Sequence, residues 1–136
     1  MEKVDRTHWE RAELFEFFSA VSHPFYSVTF RVDVTNLYRY VKERHLSFYY
    51  AMGYLVTDAV NSVKNFRYAI RDGEVWLLDE RIPSLTDLKP GSEQFHIVTL
   101  PKVGGIAEFC ASAQARSAAQ KTLLDPVSYT HLTLPT

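Results

Sequence analysis

Hydrophobic and polar residues recur at different spacings along this chain, and each spacing predicts an element. Residues 11–20 and 47–64 place apolar side chains three and four positions apart, which is typical of amphipathic helices. Residues 37–44 repeat that spacing over a shorter span. Residues 25–34 include a strict alternation of apolar and polar side chains from Val28 onward, which predicts a strand with one face in water.

The clearest local signal is a hairpin within residues 66–79. Two apolar runs, residues 68–70 and 75–78, flank the dipeptide Asp72-Gly73. A type I′ turn requires positive φ at both central positions, which Asp and Gly tolerate, and Asp-Gly between such runs is a strong hairpin signal. The predicted hairpin follows the longest helix and precedes a proline-containing loop.

Shorter signals flank these elements. Thr7 and Glu10 are spaced as a capping box for the first helix, and Thr35 and Asn36 are N-cap candidates for the second. After the hairpin, we predict extended segments at 84–88 and 95–100, and an alanine-rich helix at 106–124 with a thin apolar face. Alternating helices and strands predict an α/β domain.

Composition narrows the classes of function. The 136 residues fit one domain, and a net charge of -1 gives no reason to expect a nucleic acid or membrane partner. The single cysteine, Cys110, excludes an internal disulfide and suits a reducing cytoplasm. No apolar run approaches the roughly 18 residues of a membrane span. Aromatic residues make up 14% of the chain and favour an aromatic core, with a ligand pocket as the alternative.

No complete catalytic set emerges from the residues themselves. Of the five histidines, we predict a surface position for His8, His45 and His131, a surface position or a pocket contact for His23, and a solvent- or strand-facing side chain for His96. None of them has metal-ligand spacing with another histidine or with Cys110. The chain also lacks a glycine-rich phosphate loop and a nucleophile elbow. We interpret Cys110 as a small core residue.

At the predicted hairpin the sequence resembles a known family. Residues 65–79, NFRYAIRDGEVWLLD, are similar to the corresponding stretch of chloramphenicol acetyltransferases and their CatA-like O-acetyltransferase relatives. Residues 9–18 resemble the opening helix of that family, with its Trp-x-Arg. Residues 32–35 and 47–51 resemble the end of its first long strand and the start of a helix with a Phe-Tyr pair. The resemblance runs from about residue 5 to 124.

The resemblance implies a fold and an activity. The fold is a two-layer sandwich, in which helices pack on one face of a mixed, largely antiparallel sheet. The activity is transfer of an acetyl group from acetyl-CoA to a hydroxyl of chloramphenicol or a similar small-molecule acceptor, without a metal. The family implies a cytoplasmic homotrimer with active sites between subunits.

The resemblance also assigns roles to individual residues. Arg11 matches an arginine that supports the active site, and Tyr26, Thr86 and Phe95 match positions that line the acceptor pocket. Pro24 stands where well-known members have a cysteine, which leaves the acceptor open. The general base of the family is a histidine in a His-His-x-x-x-Asp-Gly motif, and no His-x-x-x-Asp-Gly occurs here. We therefore assign no catalytic residue.

These matches predict an incomplete enzyme. We expect residues 1–124 to be the N-terminal part of an acetyltransferase domain, and residues 125–136, which are threonine-rich, to be a non-family tail left by truncation or read-through. Such a chain is expected to be inactive alone. The alternative is a non-catalytic binding or assembly module that uses its aromatic pocket or a sheet edge.

Overall fold

The structure, a computed structural model, describes residues 1–89 and 91–124. The helices of this part are α1 (Ala12–Ser19), α2 (Thr35–Glu43), α3 (Phe48–Ser62) and α4 (Ile106–Ala119), with a 3-10 turn at Lys64–Arg67. The strands are β1 (Glu2–Lys3), β2 (Tyr68–Arg71), β3 (Glu74–Leu77), β4 (Ser84–Leu88) and β5 (Phe95–Thr99). The fold is therefore α/β with antiparallel pairing, as predicted.

The predicted hairpin is confirmed. Strands β2 and β3 pair antiparallel, with φ of 52° at Asp72 and 74° at Gly73. Positive φ at both positions is the backbone geometry that the Asp-Gly dipeptide predicts. Strand β1 pairs with the other edge of β3, and Lys3 Nζ lies 3.1 Å from Glu74 Oε1. Two residues are too few to carry an alternating pattern, so β1 could not be predicted.

Arg81 connects the hairpin to α3. The side-chain amide of Asn61 donates to Arg81 O at 2.9 Å, and its oxygen accepts from Arg81 N–H at 2.6 Å. The Arg81 guanidinium donates to Phe66 O at 2.9 Å and also to Tyr68 O. One side chain thus ties the loop after the hairpin to the carbonyls of β2 and of the turn before it.

The core lies between α3, α4 and the β4–β5 pair. Strand β4 pairs antiparallel with β5 over the predicted segments, and Asp87 stands opposite His96. The buried apolar cluster draws on α2, α3, β5, α4 and the residue after β5, and comprises Val41, Tyr50, Ala51, Val98, Leu100, Phe109, Cys110 and Ala113. Helix α3 contributes Tyr50 and Ala51 to this cluster, whereas its Leu55 and Val56 are exposed. Cys110 is a buried core residue, as predicted.

The predicted strand within residues 25–34 is wrong, since this segment has no strand hydrogen bonds. Tyr26 is 90% exposed and Phe30 is 75% exposed. Alternation marks which face of a strand is apolar, but a strand forms only when a neighbour satisfies its N–H and C=O groups. Within residues 1–89 and 91–124, no other strand pairs with this segment.

Helix termini differ from the predicted caps. Helix α1 begins at Ala12, so its N-cap position is Arg11 rather than Thr7, and no side chain caps it. The Thr7 hydroxyl instead donates to Asp5 Oδ1 at 2.7 Å. Helix α2 begins at Thr35, whose N–H donates to Asp33 Oδ1 at 2.9 Å. Helix α4 ends at Ala119 rather than at residue 124. The predicted tail, residues 125–136, lies outside the described residues, and its assignment as non-family sequence stays a prediction.

Candidate functional site

A shallow, open cavity of about 330 Å3 lies on the β4–β5 pair. Thr86, Asp87, Leu88 and Phe95 line it. This volume is near the lower end of small-molecule sites. Two of the three residues that the sequence assigned to acceptor binding, Thr86 and Phe95, are therefore brought together. Phe95 is 52% exposed, so its ring is available to a ligand.

The other two predicted site residues lie outside this cavity lining. Tyr26 is 90% exposed in the segment between α1 and α2. Arg11 is exposed immediately before α1, and no ion pair to its guanidinium occurs within the described part of the chain. Their roles in the site stay predictions.

Two consecutive tyrosines at the start of α3 hold the strand that carries the cavity. Ser47 caps this helix by accepting from Tyr50 N–H at 3.3 Å. The Tyr49 hydroxyl donates to Thr86 O at 2.7 Å, and the Tyr50 hydroxyl donates to Asp87 Oδ2. Helix α3 thus fixes both the backbone and a side chain of β4.

A histidine and a serine extend these contacts behind the cavity. Ser117 on α4 donates to Asp87 Oδ2 at 2.5 Å, and His96 Nε2 lies 2.9 Å from Ser117 Oγ. His96 is 0% exposed, so a solvent-facing side chain is wrong. The sequence held one signal: Asp87 shares a strand face with Leu85, and His96 shares one with Val98, which puts polar groups at inward positions.

The hydrogen bonds around Asp87 determine its charge. Burial alone would raise the pKa of Asp87, but hydrogen bonds from Ser117, Tyr50 and the Leu88 N–H outweigh burial and hold the pKa below its ordinary value. Burial raises the pKa of Tyr50 to about 12, and its hydrogen bond to the Asp87 carboxylate adds to this effect. Asp87 is therefore an anion and Tyr50 a neutral donor at neutral pH.

Stability should depend on the Tyr50 proton at alkaline pH. A group whose pKa is raised by folding stabilises the folded state below its unfolded pKa, and this contribution is lost as pH rises through the folded pKa. For Tyr50 the loss falls between pH 10 and about 12. Urea unfolding of Tyr50→Phe should show a cost of about 1.5–3 kcal/mol at pH 7. Its stability should fall less steeply than that of wild type above pH 10, and equal slopes would contradict the assignment.

Other candidate chemistry is limited in the described part of the chain. No cluster of three or more His, Cys, Asp or Glu side chains suited to a metal ion occurs in residues 1–89 and 91–124. His8 is bound to Asp5 at 2.8 Å on the surface, and His23 is exposed beside Ser22. Burial raises the pKa of the Cys110 thiol. Across the same residues, no helix has both the length and the apolar character needed to cross a membrane.

Comparison with known proteins agrees with the fold. A family model described as "Chloramphenicol acetyltransferase" matches residues 1–129. The chain is 39% identical over 95 residues to a chloramphenicol acetyltransferase of Clostridium perfringens, an alignment that covers 69% of this chain and 44% of the relative. It is 32% identical over 107 residues to chloramphenicol acetyltransferase 3 of Escherichia coli, covering 79% of this chain and 50% of the relative.

A solved structure leads to the same family. A structure titled chloramphenicol acetyltransferase superposes with a TM-score of 0.81 at 26% sequence identity, covering 88% of this chain and 56% of that one. This chain spans about half the length of the curated relatives that it matches. The family match extends over nearly all of the chain, from residue 1 to 129. The chain therefore belongs to the chloramphenicol acetyltransferase family.

Proposed function

We propose that this chain carries the acceptor-binding part of an acetyl-CoA-dependent O-acetyltransferase that acts on chloramphenicol or a similar small-molecule hydroxyl acceptor. The observation that carries the proposal is the cavity in which Thr86 and Phe95 meet, in a chain whose relatives bear this enzyme's name. The aromatic ring of Phe95 beside the hydroxyl of Thr86 offers a stacking surface and a polar contact for a flat organic acceptor.

Acetyl transfer needs more than an acceptor site. The acceptor hydroxyl must lose its proton while its oxygen attacks the thioester carbonyl of acetyl-CoA, and the CoA thiol leaves. A general base must lie within hydrogen-bond reach of that proton. Asp87, the ionisable residue of the cavity lining, has a lowered pKa and is already engaged by Tyr50 and Ser117, which makes it a weak base. We therefore propose that these 136 residues do not turn over the acceptor unaided.

Adding the rest of a family chain tests this proposal. The chain alone, given chloramphenicol and acetyl-CoA, should release CoA thiol at the background rate. Mixing it with the part of the Clostridium perfringens relative outside the 95-residue match should raise that rate. Turnover by the chain alone would overturn the need for a second segment, and an unchanged rate in the mixture would count against a complementary half.

Acceptor binding can be measured without turnover. Chloramphenicol should shift the amide signals of residues 86–88 and Phe95 in an NMR titration. Phe95→Ala should weaken this binding by about tenfold, since it removes the aromatic surface of the cavity. Phe66→Ala is the matched control, because this ring is similarly exposed, at 60%, and does not line the cavity. Equal affinities of the two variants would place the acceptor elsewhere.

The family also supports proposals about the setting of the enzyme. We propose a homotrimer for the complete enzyme, with active sites between subunits, and a cytoplasmic location, which a buried free cysteine suits.

A second candidate function is a non-catalytic assembly module. The observation that favours it is the segment 25–33, whose apolar side chains are exposed to water.

A further inference from the structure

Four polar side chains from four different elements meet behind the cavity, and we call them the polar anchor: Tyr50, Asp87, His96 and Ser117. Both Tyr50 and Ser117 donate to the same carboxylate oxygen of Asp87, and His96 Nε2 lies within hydrogen-bond distance of Ser117 Oγ. Asp87 Oδ1 accepts from the Leu88 N–H at 2.9 Å. The anchor joins α3, β4, β5 and α4 at one point.

The hydrogen bonds of the anchor run in one direction. A hydroxyl has a single proton, and Ser117 gives it to Asp87, so Ser117 Oγ can only accept from His96. His96 must therefore carry its proton on Nε2. Its other nitrogen, Nδ1, is buried and has no hydrogen-bond partner in the described part of the chain. A buried nitrogen without a hydrogen-bond partner is uncommon in folded proteins.

The polar anchor lies directly behind the strand residues that line the cavity. The four lining residues are Asp87, its neighbours Thr86 and Leu88, and Phe95, which adjoins the residue paired with Asp87. Because side chains alternate along a strand, the anchor groups point towards the helices while Thr86 and Phe95 point to the other face. Hydrogen bonds to two helices therefore fix the strand pair from behind.

The hydrogen bonds to Asp87 fix the position of β4 more closely than apolar packing would. Apolar side chains in the same space would bury comparable surface, but they would tolerate small sliding and rotation of β4, whereas a shared carboxylate oxygen fixes distances to two helices at once. We propose that Tyr50, Ser117 and His96 are positioning residues that act through Asp87 and hold Thr86 and Phe95 in the geometry that binds the acceptor. This inference rests on the proposed function.

The chosen test is Ser117→Ala, which removes a hydrogen bond to Asp87 without replacing any residue that lines the cavity. Ser112→Ala, on the same helix and outside the anchor, is the matched control. Amide hydrogen exchange should accelerate at least about tenfold in β4 and β5 of Ser117→Ala, and less than about threefold in the hairpin strands β2 and β3. Equal acceleration in all four strands would reflect a loss of overall stability, and no acceleration would show that Ser117 does not hold β4 and β5. Either result would overturn the inference.

A ligand titration and a spectroscopic signature complete the test. Chloramphenicol should bind Ser117→Ala at least about fivefold more weakly than wild type or Ser112→Ala, and unchanged affinity in the folded variant would overturn the positioning role. Absence of chloramphenicol binding by wild type would instead overturn the proposed acceptor, while hydrogen exchange still decides the anchor. Should Ser117→Ala fail to fold, Tyr50→Phe removes the other hydrogen bond to Asp87.

The 15N chemical shifts of His96 should report a proton on Nε2, and a proton on Nδ1 would contradict the hydrogen-bond direction.

Discussion

Replacing Phe109 by alanine is expected to lower the free energy of unfolding by about 3–5 kcal/mol. Phe109 is 1% exposed on α4, its ring centroid lies 5.5 Å from that of Tyr54 on α3, and it belongs to the buried cluster. Truncation would leave a cavity where α3 and α4 meet, and a close-packed interior collapses only partly around such a space. Urea unfolding followed by circular dichroism would measure the loss.

Phe25→Ala is the control for this prediction. Its ring is 80% exposed, and its truncation should change the free energy of unfolding by no more than about 0.5 kcal/mol. Both variants lose the same atoms, so burial is the main difference between them. A comparable cost for both would contradict the assignment of Phe109 to the core.

Replacing Phe30 by lysine is expected to weaken self-association of the chain by roughly tenfold to a hundredfold. Four alternate positions of the segment 25–33 carry apolar side chains that are all mainly exposed, and we call them the apolar strip: Tyr26, Val28, Phe30 and Val32. Such a strip buries its surface when two copies meet, and each large apolar side chain so buried contributes about 1.5–3 kcal/mol. Sedimentation velocity over a concentration series would measure the change.

Thr29→Lys adds the same charge to the same segment, at a polar position between Val28 and Phe30, and it controls for charge repulsion. It should weaken association much less than Phe30→Lys. Equal effects would show that repulsion alone separates the copies. A wild-type chain that stays monomeric at every concentration would remove the support for the assembly module.

Elements specified by their own residues were predictable from the sequence. The hairpin depends on Asp72 and Gly73 adopting positive φ, and both residues stand at the turn itself. The extended segments that form β4 and β5 were predicted within one residue at each end, because Pro83, Gly91 and Pro101 limit their length. The family resemblance assigned both Thr86 and Phe95 to the acceptor pocket, and the register of β4 and β5 brings the two residues to one cavity.

Features that depend on distant partners were not predictable. Asp87 and Ser117 are 30 positions apart, and nothing near Ser117 indicates that its hydroxyl binds a carboxylate. His96 was expected on the surface or against a strand because a single histidine carries no sign of what covers it. The alternation from Val28 to Val34 predicted a strand, yet pairing also requires a neighbour, which a local pattern cannot supply.

Arg81 limits the addition of a further strand at the outer edge of β2. Arg67 O accepts from Leu78 N–H, on the side of β3, so the adjacent carbonyls of Phe66 and Tyr68 face the outer edge of β2. The Arg81 guanidinium already occupies both of them. A strand from another molecule could not pair there without displacing a charged group that Asn61 holds in place through its backbone. The Tyr68 end of the β2 edge is thus blocked by a charged side chain, which disfavours strand pairing between copies at this end.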